Sequence, residues 1–263
     1  MTTTPATPAL PGATGGPAPL PRRVVAQARF ETVAMLRNGE QLLLLVVLPL
    51  MALVALTYTP LLDGVLPAGA SRVEIAVPGV LALCVLSNAF SGQGIQTGFD
   101  RRYGVLRFLS TTPLGRSGLI AGKLLAILAV LAVQYVLVAG LGAALGWRPG
   151  PGALLLSVPV LLLGAAAFTG LGLLLAGTVR AEATLAVTNL VWVLLAAVGG
   201  TLFPSTTLPG AASWLVDVLP SGALGSALRE TFLTGGPSPA PLVVLAVWAL
   251  ASWAAALRWF RWS

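Results

Sequence analysis

Charged residues are spaced along this 263-residue chain so that six long stretches carry none, at 41–62, 75–99, 124–147, 149–179, 183–216 and 231–257. Each exceeds the ~20 residues that a helix needs to cross ~30 Å of hydrocarbon. Only 9% of the residues are charged and 57% are hydrophobic, whereas a soluble domain carries about 25% charged residues. That balance excludes a soluble enzyme, a nucleic-acid-binding protein, a disulfide scaffold and a disordered regulator. The chain reads as an all-α polytopic membrane protein.

The net charge of +7 then belongs to membrane topology, because basic residues collect at cytoplasmic helix ends and against anionic lipid. The single cysteine, Cys84, lies inside an apolar stretch, and histidine is absent. An internal disulfide and a multi-cysteine metal site are therefore excluded, and the commonest general base and zinc ligand is missing. Fourteen arginines against one lysine, with abundant Ala, Gly and Pro, resemble the translation of a GC-rich bacterial genome.

Residues 1–21 are Thr, Pro, Ala and Gly without a charged side chain, a composition that cannot bury a core, and are expected to form a disordered cytoplasmic tail. Over 22–39 the wheel places Val24, Val25, Ala28, Thr32, Met35 and Leu36 within an arc of about 120°. Glu31 and the arginines fall outside it, which predicts a helix lying in the membrane interface or a basic flank anchoring the first span. Spans are expected at 41–58, 75–98, 119–145, 153–179, 184–203 and 242–257. Between 204 and 241 prolines and glycines cut the chain into pieces too short to cross. Leu224, Leu228 and Phe232 recur there every four residues beside Arg229 and Glu230, which predicts a short amphipathic or re-entrant helix on the external side.

Counting Lys and Arg on alternate sides gives twelve on the side holding both termini and the loop after span two, and three (Arg72, Arg148 and Arg229) on the other. The positive-inside rule places the first side in the cytoplasm. All eight acids lie at span ends or in loops, so the intramembrane carboxylate of a proton-coupled carrier and the acid pairs of an intramembrane protease are lacking. A sodium-coupled secondary carrier and a non-transporting subunit of a membrane complex remain as alternatives to a powered transporter. Gly118 to Lys123 fails as a phosphate-cradling loop: the spacing is one residue short, and Leu124 stands where Ser or Thr would bind magnesium.

The loop after span two carries the most specific pattern. Tyr103, Leu106, and Phe108 with Leu109 offer apolar contacts, Arg101, Arg102 and Arg107 offer charge, and Pro113 ends the helix, a composition that suits a docking ridge or a solvated basic loop. Asp100, Arg101, Gly104, Leu106, Thr112, Pro113, Leu114, Arg116, Gly122 and Lys123 stand in the register of an acidic-Arg-x-x-Gly-x-Leu…Thr-Pro-Leu-x-Arg…Gly-Lys pattern. This resembles the ABC-2 type transporter permeases. Arginines at 102 and 107, where the family often has acids, resemble its daunorubicin-type drug exporter branch. The resemblance spans residues 22–263 as one transmembrane domain.

It implies a permease subunit in a bacterial plasma membrane, moving a hydrophobic, lipid-like or drug-like cargo. It also implies two partners: a separate ABC ATPase that binds ATP and magnesium and docks on this loop, and a second permease subunit, identical or related. No cofactor is expected in this chain itself. On span two, Ser87, Asn88 and Ser91 share an arc of about 100° with Cys84, and on span five Thr184, Thr188, Asn189 and Trp192 share one of about 140°. Uncharged polar groups in lipid need partners, so these arcs face either packed helices or a cavity. The resemblance favours a substrate pathway.

Overall fold

The computed structural model describes residues 18–260, and among these every regular element is helical. Most of the expected tail lies outside them; its last two residues, Leu20 and Pro21, already belong to the first helix. That helix, α1 (Leu20–Arg37), packs along the third membrane helix. Its buried face carries Ala28 and Met35 as expected, and also Glu31, which the wheel had placed among the solvated residues. Lys123 on the facing helix draws this carboxylate inward. Val25, Phe30 and Val33 remain exposed between Arg22, Arg29 and Arg37.

The next helix, α2 (Gly39–Tyr58), opens with Asn38 accepting hydrogen bonds from the Glu40 and Gln41 amides, which satisfies two donors of its first turn. A π-helical turn occupies Leu43–Val47. Pro49 follows it and has no N–H to give the carbonyl one turn back, that of Leu45. The Gln134 side-chain amide donates to that carbonyl instead.

The second span, α3 (Arg72–Arg102), starts at a Ser71–Glu74 capping box and runs through the middle of the molecule, against α2 and most of the later helices. Its residues from Val73 to Leu86 are buried almost without exception, hence a uniformly apolar stretch with no stripe. A second π-helical turn lies at Leu86–Gly92. A short helix α4 (Val105–Ser110) then leads to α5 (Gly115–Ala144), α6 (Pro151–Thr178) and α7 (Ala181–Ala197). After these come α8 (Ala211–Asp217), α9 (Pro220–Thr234) and α10 (Pro239–Trp259). The core is built from α3, α5, α6 and α9 around Phe168, which meets Phe90 edge to face at 6.3 Å. A Cβ on Gly172 of α6 would stand 2.8 Å from the Phe90 carbonyl of the π turn, so only glycine permits this approach.

Five helices are long and apolar enough to cross a membrane: α2, α3, α5, α6 and α10. The fifth in order, α7, has 17 residues and spans about 25 Å. The sequence predicted it to run to 203; the structure ends it at Ala197. The carbonyls just beyond are held by α9. Arg229 donates to the Gly200 and Thr201 carbonyls at 2.8 and 3.1 Å, and Ser221 to that of Gly199 at 2.6 Å. Of the two forms expected over 224–232, the amphipathic surface helix is corrected by the same contacts, whereas a helix that turns back into the bundle agrees with them. Leu224 and Leu228 are fully buried and Arg229 is 5% exposed, because α9 enters the bundle against α3, α6 and α10.

The two ends of the bundle differ in charge. Val24, Leu109 and Phe260 pack on Leu106, Leu114 and Leu119, which gathers α1, α4, the start of α5 and the end of α10 at one end. Arg102 reaches Glu182 at the start of α7 at that same end. The described residues of the twelve-member basic group collect there, whereas Arg72, paired with Asp63, and Arg148, which donates to the Ala143 carbonyl, lie at the other end.

Candidate functional site

At the arginine-rich end the chain leaves α3 through Tyr103 and Gly104. Gly104 has φ +72°, a left-handed conformation that a residue with a Cβ adopts only at a cost. The reversal turns α4 across the bundle and divides its side chains. Leu106 is 2% exposed and sits in the cluster with Leu114 and Leu119, and Leu109 packs against that cluster. The expectation that Leu106 meets a partner is therefore corrected: it anchors the ridge from beneath. Tyr103 and Phe108 are both about 70% exposed, with Val105 and Arg107 beside them. Phe108, expected with Leu109 among the apolar contacts, is the largest purely apolar group the ridge presents.

The arginines are also sorted. Arg101 donates to the Val179 carbonyl, Arg102 pairs with Glu182 and lies 5.8 Å from the Tyr103 ring, and Arg23 of α1 donates to the Pro113 carbonyl. Phe99 stacks on Tyr103 at 6.1 Å. Arg116 lies in the first turn of α5. The ridge is thus braced to α1, α6 and α7 at several points.

Beneath it lies an ion cluster that sequence reasoning did not assemble. The ammonium of Lys123, the chain's single lysine, is 2.9 Å from Asp100 and 3.3 Å from Glu31. Glu31 and Lys123 are each 4% exposed, and Gln27 donates to the same Glu31 oxygen at 2.8 Å. Buried charges persist only when paired. The cluster ties three elements together: the interfacial helix, the end of α3 just before the ridge, and α5.

Next to this cluster a cleft of about 540 Å³ opens between the start of α2, the π turn of α3 and α7. Five of the seven sequence-predicted pathway residues, Ser87, Asn88, Ser91, Asn189 and Trp192, line it. Trp192 donates to Ser87 Oγ at 3.0 Å, which holds α7 to α3 across the cleft floor. Asn88 is 1% exposed and donates to the Ile127 carbonyl of α5 at 3.1 Å. Thr184 and Thr188 are corrected to packing positions: both are fully buried, Thr184 against Gly98 and Thr188 against Gly94. These are small-residue contacts that bring α3 and α7 close. Cys84 is buried and does not line the cleft.

Both π-helical turns face this cleft, one contributing Leu44 and Leu45 and the other Ser87, Asn88, Ser91 and Gly92. A π turn widens the helix and redirects one residue. A wheel drawn at 3.6 residues per turn could not foresee the α2 contribution. The apolar wall of the cleft comes from Leu44, Leu45, Leu48 and Leu185.

Set beside known proteins, the chain matches the family model described as ABC-2 type transporter over residues 23–233. The chain belongs to the ABC-2 type transporter family. It is a multi-pass membrane permease subunit, and proteins of this family typically work with an ABC ATPase. The match begins within α1 and ends within α9, so it includes the ridge, the ion cluster and the cleft and leaves α10 outside. Comparison with curated proteins gave no match. Among the described residues of the permease, no three His, Cys, Asp or Glu side chains are grouped to hold a metal ion.

Proposed function

We propose that this permease is the membrane-spanning half of an ATP-driven exporter in a bacterial plasma membrane, with its arginine-rich end in the cytoplasm. Tyr103, Val105 and Phe108 dock on a separate ATPase chain that binds ATP and magnesium, with Arg107 at the rim of the contact. A second permease subunit completes the pathway. The cleft receives a hydrophobic or amphipathic cargo from the lipid or the cytoplasm.

The observation that carries this reading is the position of α3. Its end bears the exposed aromatic ridge, and its π turn, about three turns before that end, supplies the polar floor of the cleft. Asp100 lies between the two, lining the cleft and clamped to Lys123. A push on the ridge therefore reaches the cleft through a single braced helix. Aromatic side chains at the centre of a contact, with charge at its rim, are the usual anatomy of a specific docking surface.

The test is coexpression with the cognate ATPase, sought first among neighbouring genes, followed by copurification and transport in proteoliposomes. Phe108→Asp and Tyr103→Asp should lose the ATPase subunit, because a charge without a partner is costly to bury. Trp192→Ala and Asn189→Leu should keep the complex and lower transport. Retention of the complex by both ridge variants would overturn the docking assignment. Full transport by both cleft variants would overturn the pathway.

A further inference from the structure

The cleft is electrically one-sided. Among the described residues it is lined by two carboxylates, Glu40 and Asp100, and by no lysine or arginine. Glu40 makes no ion pair among the described residues. Asp100 shares Lys123 with Glu31, so two carboxyl groups face one ammonium. Beside Asp100, Arg101 donates to the Val179 carbonyl and Arg102 pairs with Glu182, and Arg37 at the end of α1 is not part of the lining.

The uncharged part of the lining points the same way. The side-chain oxygen of Gln96 is buried at the cleft without a hydrogen-bond partner. Trp192 presents an indole ring there, with its N–H already given to Ser87. An indole face attracts cations through its quadrupole. Carboxylates and acceptors at the mouth, with Leu44, Leu45, Leu48 and the Trp192 ring further in, form a cavity complementary to a positively charged head on an apolar body.

We propose that the cleft selects cationic amphipathic molecules over anionic ones of the same size and shape. This rests on the reading of the cleft as the cargo site. A phosphate-bearing or carboxylate-bearing cargo would meet the Glu40 carboxylate at the mouth with no cation in the lining to offset it, and like charges brought together in a partly desolvated site repel strongly.

A matched pair of hydrophobic ions tests it. Tetraphenylphosphonium and tetraphenylborate have nearly the same shape and opposite charge. Equilibrium binding of each is measured to the full chain in nanodiscs of zwitterionic lipid, with partition into empty nanodiscs subtracted. The phosphonium should bind saturably and about tenfold or more tighter than the borate, on the order of one screened charge contact. Glu40→Gln should narrow that ratio and Gln41→Lys, which places a cation in the cleft lining, should narrow it further. Trp192→Ala should weaken both ions. If both ions bind with equal affinity, lose it on Trp192→Ala and ignore Glu40→Gln and Gln41→Lys, the charge selection is overturned and the cleft reading stands. If neither ion binds saturably, or binding ignores Trp192→Ala, the cleft reading itself fails.

Discussion

At the scale of single residues, Lys123 holds the most consequential position. Its ammonium is buried with two carboxylates that belong to different helices, and removing one partner of a buried ion cluster strands the others. Lys123→Ala is expected to cost about 3–5 kcal/mol, read as a large fall in the detergent melting temperature. Glu31→Gln and Asp100→Asn added to that variant should recover much of the loss, and a triple variant no more stable than Lys123→Ala would contradict the assignment. At the other end, Asp63 and Arg72 form an exposed pair at 2.6 Å, and this hydrogen bond holds the Asp63 carboxyl below its ordinary range. A lowered folded pKa means that the pairing contributes above the ordinary carboxylate pKa and is lost as pH falls through the lowered value. Asp63→Asn should therefore alter melting little at neutral pH, since exposed pairs contribute little. It should flatten only the acid limb of the melting profile, and an equal effect at every pH would contradict this.

At the scale of elements, the two π turns and the reversal at Gly104 shape the site. Gln134 compensates for the N–H that Pro49 lacks by donating to the Leu45 carbonyl, so the pair can be tested as a cycle. Gln134→Leu should destabilise by about 1 kcal/mol. In a Pro49→Ala background, where residue 49 can donate to Leu45 itself, the same change should cost less, and equal costs in both backgrounds would refute the coupling. Gly104→Ala should strain the turn by roughly 1 kcal/mol, misalign α4 and weaken ATPase binding without removing any contact residue. Elements were legible wherever hydropathy dictated them. The long uncharged stretches gave α2, α3, α5, α6 and α10 nearly to their ends, because in lipid an apolar segment of that length has few other options. Leu106 was misassigned because apolar residues on a six-residue helix show no periodicity that separates an anchoring side from a docking side.

At the scale of the whole molecule, the sequence carried charge segregation and family pattern but few tertiary contacts. Ser87, Asn88, Ser91, Asn189 and Trp192 were found because polar residues are rare in apolar spans. Thr184 and Thr188 carried the same signal and turned out to be packing contacts against Gly94 and Gly98, a distinction that only the neighbouring helix makes. Glu31 looked solvated until Lys123 was placed opposite it, and Arg229 marked an external polar face until α9 entered the bundle. Each of these depends on a partner distant in sequence. The topology follows from charge: thiol labelling at introduced cysteines near Gly64, Gly150 and Pro237 should occur from outside the cell, and labelling at Arg107→Cys only after permeabilisation. The reverse pattern would invert the orientation and remove the ATPase from the ridge.

The central claim is that a push on the ridge opens and closes the cleft, and one measurement addresses it directly. In a Cys84→Ala background, Ser91→Cys and Asn189→Cys each place one thiol in the cleft lining. Their reaction rates with a charged thiol reagent are compared in the intact complex with its ATPase, without nucleotide and with the ATPase trapped in its ATP-bound state. The account predicts that both rates change several-fold between the two states and that Phe108→Asp abolishes the difference. Equal rates in the two states at both positions, with the complex intact, would contradict it.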